Sequence, residues 1–286
     1  MAQNEGIYVI KKNGERELFS EEKVLRSMKR VGLAQSLQPK VLEHIKQRLH
    51  QDMDSLEIFA HIREFLDQND ERASLKFNLK QAIFDLGPTG FPFERYMQRV
   101  FDTLGYTSQV GEIMQGACVT HEIDLQIEKD GKKDIIEAKF HNQQGVKTDV
   151  QVLLYTFARF LDVKEVNPIE GVWIVTNTKL TLDASNYARC KGVKVIGWNF
   201  PENNNLQDFV ERPNLYPITI LHSLSKQEKQ SLLAGNVIVC SDILAISDEE
   251  LKNTYFLNSD TIVKVKKEAA LVSGSDLSEN IPTSVI

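Results

Sequence analysis

Asp124, Glu137 and Lys139 are the residues whose types and spacing most directly suggest chemistry. Glu137 and Lys139 stand two apart in IIEAKF. In a strand, residues two apart point the same way, so a carboxylate and an ammonium project from one face while Ile136 and Ala138 face the other. Asp124 lies upstream in THEIDLQIE, across Lys129-Asp130-Gly131-Lys132, which reads as a hairpin turn. If the register brings Asp124 opposite Glu137, two carboxylates and one amine meet at the end of a twisted hairpin. Hard oxygen ligands of that kind suit Mg²⁺ or Mn²⁺, which takes one or two protein carboxylates together with substrate phosphate. The metal chemistry such a set serves is delivery of hydroxide to a phosphodiester and neutralisation of the growing charge. A lysine there would orient or deprotonate the attacking water. Alternating acidic and apolar residues also describe any half-exposed hairpin, so the surroundings have to decide.

Those surroundings read as an ordered set of elements. FERYMQRVFDTLGY is a helix, TSQVGEIM, CVTHEIDLQIE and KDIIEAKF are strands, and VQVLLYTFARFL is a helix. A strand at 171–176, a helix around 182–189 and a strand at 193–198 follow. The order α-β-β-β-α-β-α-β describes a mixed sheet flanked by helices. Glu94 falls on the helix before the sheet, and Gln151 opens the helix after the lysine strand. His141, just beyond that strand, is a further group able to donate to phosphate, although a loop histidine is usually just exposed.

Upstream, GIYVIKKNGERELFS reads as two short strands joined at Asn13-Gly14, a tight turn in which both positions take positive φ. Ser20 then caps a helix carrying Val24, Leu25, Met28 and Val31, and Gly32 ends it. Helical patterns recur around Val41–Leu49, Ile58–Phe65 and Leu75–Leu86. Lys11, Lys12, Arg16 and Lys23 gather around the turn and the helix start, cations suited to a triphosphate. GPTGFP at 87–92 and PENNN at 201–205 break the pattern and suggest three units, 1–88, 89–200 and 201–286. In the last, SLSKQEKQSLLAGNVIVCSDIL reads as a short helix, a turn at Gly235-Asn236 and an apolar segment. SGSDLSENIPTS is a small, polar, mobile ending.

The 286 residues carry 34 Lys+Arg against 40 Asp+Glu, a net charge of -6 that weakens a nucleic-acid reading without removing it. The excess of acid sits after residue 200, with 7 basic against 12 acidic residues there, so a basic groove in the middle segment is still allowed. No apolar run approaches the ~20 residues needed to cross a bilayer, and MAQNEGIYVI has no secretory pattern. Three well-separated cysteines, Cys118, Cys190 and Cys240, suit reduced thiols in a cytoplasm, with neither a disulfide nor a zinc site expected.

The run from FERYMQRVFDTLGY through HEIDLQIE and DIIEAKFHN to GVWIVTNTKLTLDASNYARCKGVKVIGW resembles the PD-(D/E)xK superfamily over about 110 residues, with Mrr-like restriction endonucleases and archaeal-type Holliday junction resolvases nearest. The resemblance implies an α/β restriction-endonuclease-like domain and a catalytic set of Asp124, Glu137, Lys139, Glu94 and Gln151, with Asp124 and Glu137 as metal ligands. The sequence departs from the family at His121, where small residues are usual, and at Glu122, which shares the face of Asp124 and competes for the metal role. YVIKKNGERELFSEEKVLRSMKRVG resembles the ATP-cone, an α+β regulatory domain, over roughly the first 86 residues. That likeness implies an ATP or dATP effector site drawing on Val9, Lys11, Lys12, Arg16 and Lys23. The sequence departs from the common pattern in having Glu15 directly after Gly14 and the arginine one place later. No GxxxxGK[ST] loop is present, so nucleotide is expected as effector and not as hydrolysed fuel. The C-terminal segment resembles one half of a helix-hairpin-helix, but its acidity favours a small packing or oligomerisation module. Together these imply an Mg²⁺-dependent DNA endonuclease of defence or repair type, regulated by nucleotide and acting as a dimer if it cuts both strands. The alternatives are a junction resolvase, or a non-catalytic nucleotide sensor that binds DNA or a partner.

Overall fold

Strands β1 (Tyr8–Ile10) and β2 (Arg16–Leu18) pair antiparallel, but their turn is not the two-residue form expected. Lys11 N–H donates to Glu15 O and Gly14 N–H to Lys11 O, both at 2.8 Å, and of Asn13 and Gly14 only Gly14 has positive φ, 81°. This is a three-residue loop with glycine in the left-handed closing position, in which asparagine needs no unusual backbone. A third strand, β3 (Met53–Asp54), lies parallel to β1, giving the order β2-β1-β3. Two residues are too few to show alternation, so this strand is silent in the sequence.

Helix α1 (Glu21–Arg30) starts where expected, with the Ser20 hydroxyl accepting from Lys23 N–H. It is followed by α2 (Gln38–Lys46), α3 (Ser55–Asn69), α4 (Glu71–Phe77) and α5 (Leu79–Phe84). The pattern from Leu75 to Leu86 is therefore two short helices broken at Asn78. Met28, Val41, Ile45, Met53 and Leu66 are buried in one core with Val9. In this computed structural model residues 6–274 are described, so the expected mobile ending lies almost wholly outside them. Contacts divide the chain into two compact units, Met1–Lys80 and Gln81–Ile286, and the segment after residue 200 belongs to the second.

The second unit begins at Gln81, within α5, and continues with α6 (Phe91–Thr103), β4 (Thr107–Gln115), β5 (Thr120–Lys129) and β6 (Lys132–Lys139). After the two-residue strand β7 (Lys147–Thr148) come α7 (Val150–Lys164), β8 (Ile169–Thr176), β9 (Lys179–Leu180), α8 (Leu182–Lys191) and β10 (Lys194–Ile196). The main sheet has the order β10-β8-β6-β5-β4. The pairs β4/β5 and β5/β6 are antiparallel, while β6/β8 and β8/β10 are parallel, as two helical crossovers require. Asp130 and Gly131 close the β5–β6 hairpin with φ of 54° and 76°, the conformation that an Asp-Gly pair favours. Helices α7 and α8 cover one face through Leu153, Phe160, Val163, Ala184 and Ala188, packed on Ile135, Val172 and Ile174. On the other face Phe101 of α6 meets Trp173 edge-on at 5.6 Å.

The remainder is helical: α9 (Leu206–Glu211), one 3-10 turn (Ile218–Ile220), α10 (Lys226–Ala234), α11 (Cys240–Ala245), α12 (Asp248–Asn253) and α13 (Ser259–Ser273). The buried Tyr96 hydroxyl of α6 donates to Leu215 O at 2.8 Å, and Thr219 Oγ1 donates to Ala82 O of α5 at 2.5 Å, so this region braces α6 and the end of α5. The chain is a mixed α/β protein with a five-stranded mixed sheet, a small N-terminal sheet and a helical C-terminal region. Among the described residues no helix is long and apolar enough to cross a membrane.

Candidate active site

The ladder between β5 and β6 runs from Lys129↔Lys132 only as far as Leu125↔Ile136. One step further the same register sets Asp124 against Glu137, and directly opposed residues of an antiparallel pair share a face. There the strands part. Ala138 N–H donates at 2.7 Å to Asp124 Oδ2 instead of to a backbone carbonyl. On its other side β6 stays paired with β8 as far as Lys139↔Thr176, so β6 is held while β5 turns away. Gly111 on β4 has φ of 70° where the β4/β5 register skips a pair opposite Asp124, a backbone conformation that few side chains tolerate. The two carboxylates thus sit at the mouth of a fork. Asp134, the other acid of β6, is on the opposite face and is absorbed by Trp173 Nε1 at 2.7 Å and Lys194 Nζ at 2.8 Å.

Crowding of like charge marks the fork electrostatically. Asp124 is pushed up to about 7, by burial first and by Glu137 next, with Glu94 adding to the rise and Ala138 N–H and Arg159 opposing it. Glu94, at the start of α6, is raised by burial and by Glu122 and Glu137, against the pull of Arg95. Four carboxylates therefore feel one another. The nearest compensating cation is one the sequence reading missed: Arg159 of α7, whose Nη1 donates to Glu137 Oε2 at 2.6 Å. Its guanidinium lies 4.7 Å from the centre of the Tyr155 ring, and its Nε is buried with no hydrogen-bond partner. The available signal was spacing, since Gln151, Tyr155 and Arg159 recur every four residues and share a helix face. Gln151 itself is exposed, with its backbone N–H bonded to the Asp149 cap at 2.9 Å.

Lys139 shares the face of Glu137 and makes no ion pair among the described residues. Together with burial, it lowers His141 below its ordinary value, Asp149 acting the other way. His141 is not simply an exposed loop residue. Its ring Nε2 is 3.0 Å from Thr148 Oγ1, which is 2.9 Å from Thr176 Oγ1 and 3.1 Å from Thr178 Oγ1. Its backbone is clasped by Asn177 through two bonds of 2.9 Å. These buried hydroxyls fix the chain just beyond Lys139.

The donor set fits a hard divalent cation. Asp124 Oδ1 and Glu137 Oε1 receive no hydrogen bond among the described residues, and burial makes the extra negative charge costly without a cation. Among the described residues no third His, Cys, Asp or Glu joins Asp124 and Glu137 in a three-ligand group, so a cation held by these two carboxylates would take its remaining ligands from water and phosphate.

In the first unit the expected nucleotide residues are already engaged. Lys11 and Lys23 both pair with Glu17. Arg16 Nε donates to Asp52 Oδ1 at 2.7 Å, and its guanidinium lies 4.1 Å from the centre of the Tyr8 ring. Val9 is buried in the core, and Lys12 is exposed in the turn. The cations are gathered at the hairpin, and three of them are paired with two carboxylates, Glu17 and Asp52.

The family model described as AF1548-like, C-terminal, matches residues 216–273. A protein of Archaeoglobus fulgidus described as uncharacterized is 39% identical over 156 residues, 54% of this chain and 88% of the relative. The chain belongs to the AF1548-like family. The crystal structure of AF1548, described as a protein of unknown function, aligns at 34% identity with a TM-score of 0.57, over 65% of this chain and all of that one. A crystal structure of protein VC1899 from Vibrio cholerae aligns at 15% identity over 64% of this chain and 54% of that one, with a TM-score of 0.24 that is too low to bear on the fold. The AF1548-like match covers α10 to α13, part of the region that braces α6 and, with it, Glu94.

Proposed function

We propose that this AF1548-like chain is an Mg²⁺-dependent deoxyribonuclease on a restriction-endonuclease-like fold, of defence or repair type, whose N-terminal ATP-cone-like unit takes ATP or dATP as an effector. The observation that supports it most is the fork between β5 and β6, with Asp124 and Glu137 on one face and Lys139 next to them. Asp124 and Glu137 would hold Mg²⁺ or Mn²⁺, which when bound supplies charge neutralisation at the phosphate and a more acidic water. Lys139, unpaired and on the same face, orients the attacking water and donates to the phosphate as charge builds on it. Glu94, raised by burial and its acidic neighbours, takes up the proton that water releases. The Asn177 clasp on His141 keeps the end of β6, and so Lys139, from shifting. In the first unit, a triphosphate would compete with Glu17 and Asp52 for Lys11, Lys23 and Arg16.

A second reading has its own support. Arg159 already neutralises Glu137 at 2.6 Å, as a cation would in a nuclease fold kept for binding DNA or a partner. One experiment separates the two. Purified protein with Mg²⁺, with and without ATP or dATP, is incubated with plasmid, modified and branched DNA beside Lys139→Ala. Cleavage by the parent alone supports the nuclease, and preference for branched DNA narrows it to a resolvase. Intact substrates under every condition refute the nuclease reading.

A further inference from the structure

Among the described residues the one group of three metal-ligating side chains with donor atoms all within 4.8 Å of one another belongs to the first unit: His44, His61 and Glu64. His44 comes from α2, and His61 and Glu64, three apart, share a face of α3. Glu64 Oε2 is 3.5 Å from His44 Nε2 and 3.6 Å from His61 Nδ1. Ligands about 2.0–2.1 Å from a tetrahedral ion are separated from one another by about 3.3–3.4 Å, so the two edges that meet at Glu64 are already close to the length such an ion requires, and the third lies within 4.8 Å. The two rings meet edge-on, their centres 6.3 Å apart and their planes at 71°, as they can when each turns one nitrogen to a common point. His44 Nε2 is buried and has no hydrogen-bond partner, although burying a polar ring nitrogen without one is costly.

We infer that His44, His61 and Glu64 form a binding site for a divalent transition cation of the Zn²⁺ class, with water in the fourth position, that clamps α2 to α3. Two imidazoles and one carboxylate are a borderline-soft donor set, distinct from the all-oxygen pair at the fork, so the two sites select different ions. The expectation of no zinc site rested on the cysteines, and none takes part here. Arg48 Nη1 donates to His44 Nδ1 at 3.2 Å and to His44 O at 3.0 Å. With a cation on Nε2, Nδ1 must carry the proton, so Arg48 gives up the ring and keeps the carbonyl. Arg48 therefore opposes metal binding.

The test uses the full chain carrying Asp124→Asn, so that the fork contributes no tight binding, stripped with EDTA and titrated with Zn²⁺ by calorimetry and with Co²⁺ by visible absorption. One equivalent of Zn²⁺ and the intense visible bands of four-coordinate cobalt are expected. Added Glu64→Gln or His61→Gln should weaken Zn²⁺ by at least the roughly 10–100-fold that loss of an outer-shell partner costs, and abolish the cobalt bands. Glu64 is half exposed, so Glu64→Gln keeps the fold. Arg48→Gln should tighten binding. Equal Zn²⁺ affinity in the parent, Glu64→Gln and His61→Gln, or no four-coordinate cobalt spectrum, overturns the site.

Discussion

Replacing Asp124 by asparagine should make the metal-free protein more stable, and increasingly so as pH rises. Asn Oδ1 can still accept from Ala138 N–H, so the substitution removes charge while keeping the bond that closes the fork. Raising the carboxyl from its ordinary 3.8 to about 7 means that the folded chain resists ionising this group. The cost is absent below about pH 4, grows between the two values and levels off above about 7. At about 1.4 kcal/mol per pH unit the plateau is roughly 4 kcal/mol, and near pH 5 less than about 2 kcal/mol. Because the charge of Glu137 is the second cause of the rise at Asp124, part of the gain would also be recorded for Glu137→Gln. Both tryptophans, Trp173 and Trp198, belong to the second unit, so urea unfolding followed by their fluorescence reads the unit that contains the fork. The measurement is made in EDTA at pH 5 and pH 8. A stabilisation of several kcal/mol at pH 8 that shrinks toward pH 5 is expected, and Mg²⁺ should favour the parent over the variant. A variant no more stable than the parent at pH 8, or a gain that does not change with pH, would refute the argument from crowded charge.

Arg159→Gln removes the cation that partly offsets the fork, so in EDTA it should lower the stability of the second unit, and Mg²⁺ should restore part of it; a loss unchanged by Mg²⁺ contradicts that role. The Gly116 turn gives a purely structural check. A Cβ on Gly116 would lie 2.1 Å from Asp162 Oδ2 and 2.7 Å from Val119 O, so Gly116→Ala should displace the carboxylate that accepts from Cys118 N–H at 2.8 Å and His121 Nε2 at 2.7 Å. A melting temperature within error of the parent would show that the turn relaxes freely. The His121 contact, with the turn's N–H groups, holds Asp162 down at about 2, so its stabilisation is present above the ordinary 3.8 and lost as pH falls toward 2. Asp162→Asn should therefore cost more at pH 7 than at pH 3 in the same unfolding assay.

Much of the second unit was legible in the residues because its signals are local. Period-two alternation marks β5 and β6, Asp130-Gly131 dictates the turn between them, and the stripe of Leu153, Phe160 and Val163 marks α7. From these, the shared face of Asp124, Glu137 and Lys139 follows by counting. What the chain could not disclose locally came from pairings distant in sequence. The parting of β5 from β6 depends on β8 holding β6, about forty residues downstream, and on the left-handed Gly111 of β4. Arg159 reaches Glu137 only because α7 packs back across the sheet, and β3 exists only because β1 offers it an edge. His141 became half-buried through threonines that two separate segments, around 148 and 176–178, bring together. Spacing along the chain determines which way a side chain points from its own strand or helix; which charges face it, and how dry that meeting is, are decided when the elements pack. The roles of Asp124 and Arg159 rest on the second, because burial and neighbouring charge, not residue type, set the cost of ionising a carboxyl.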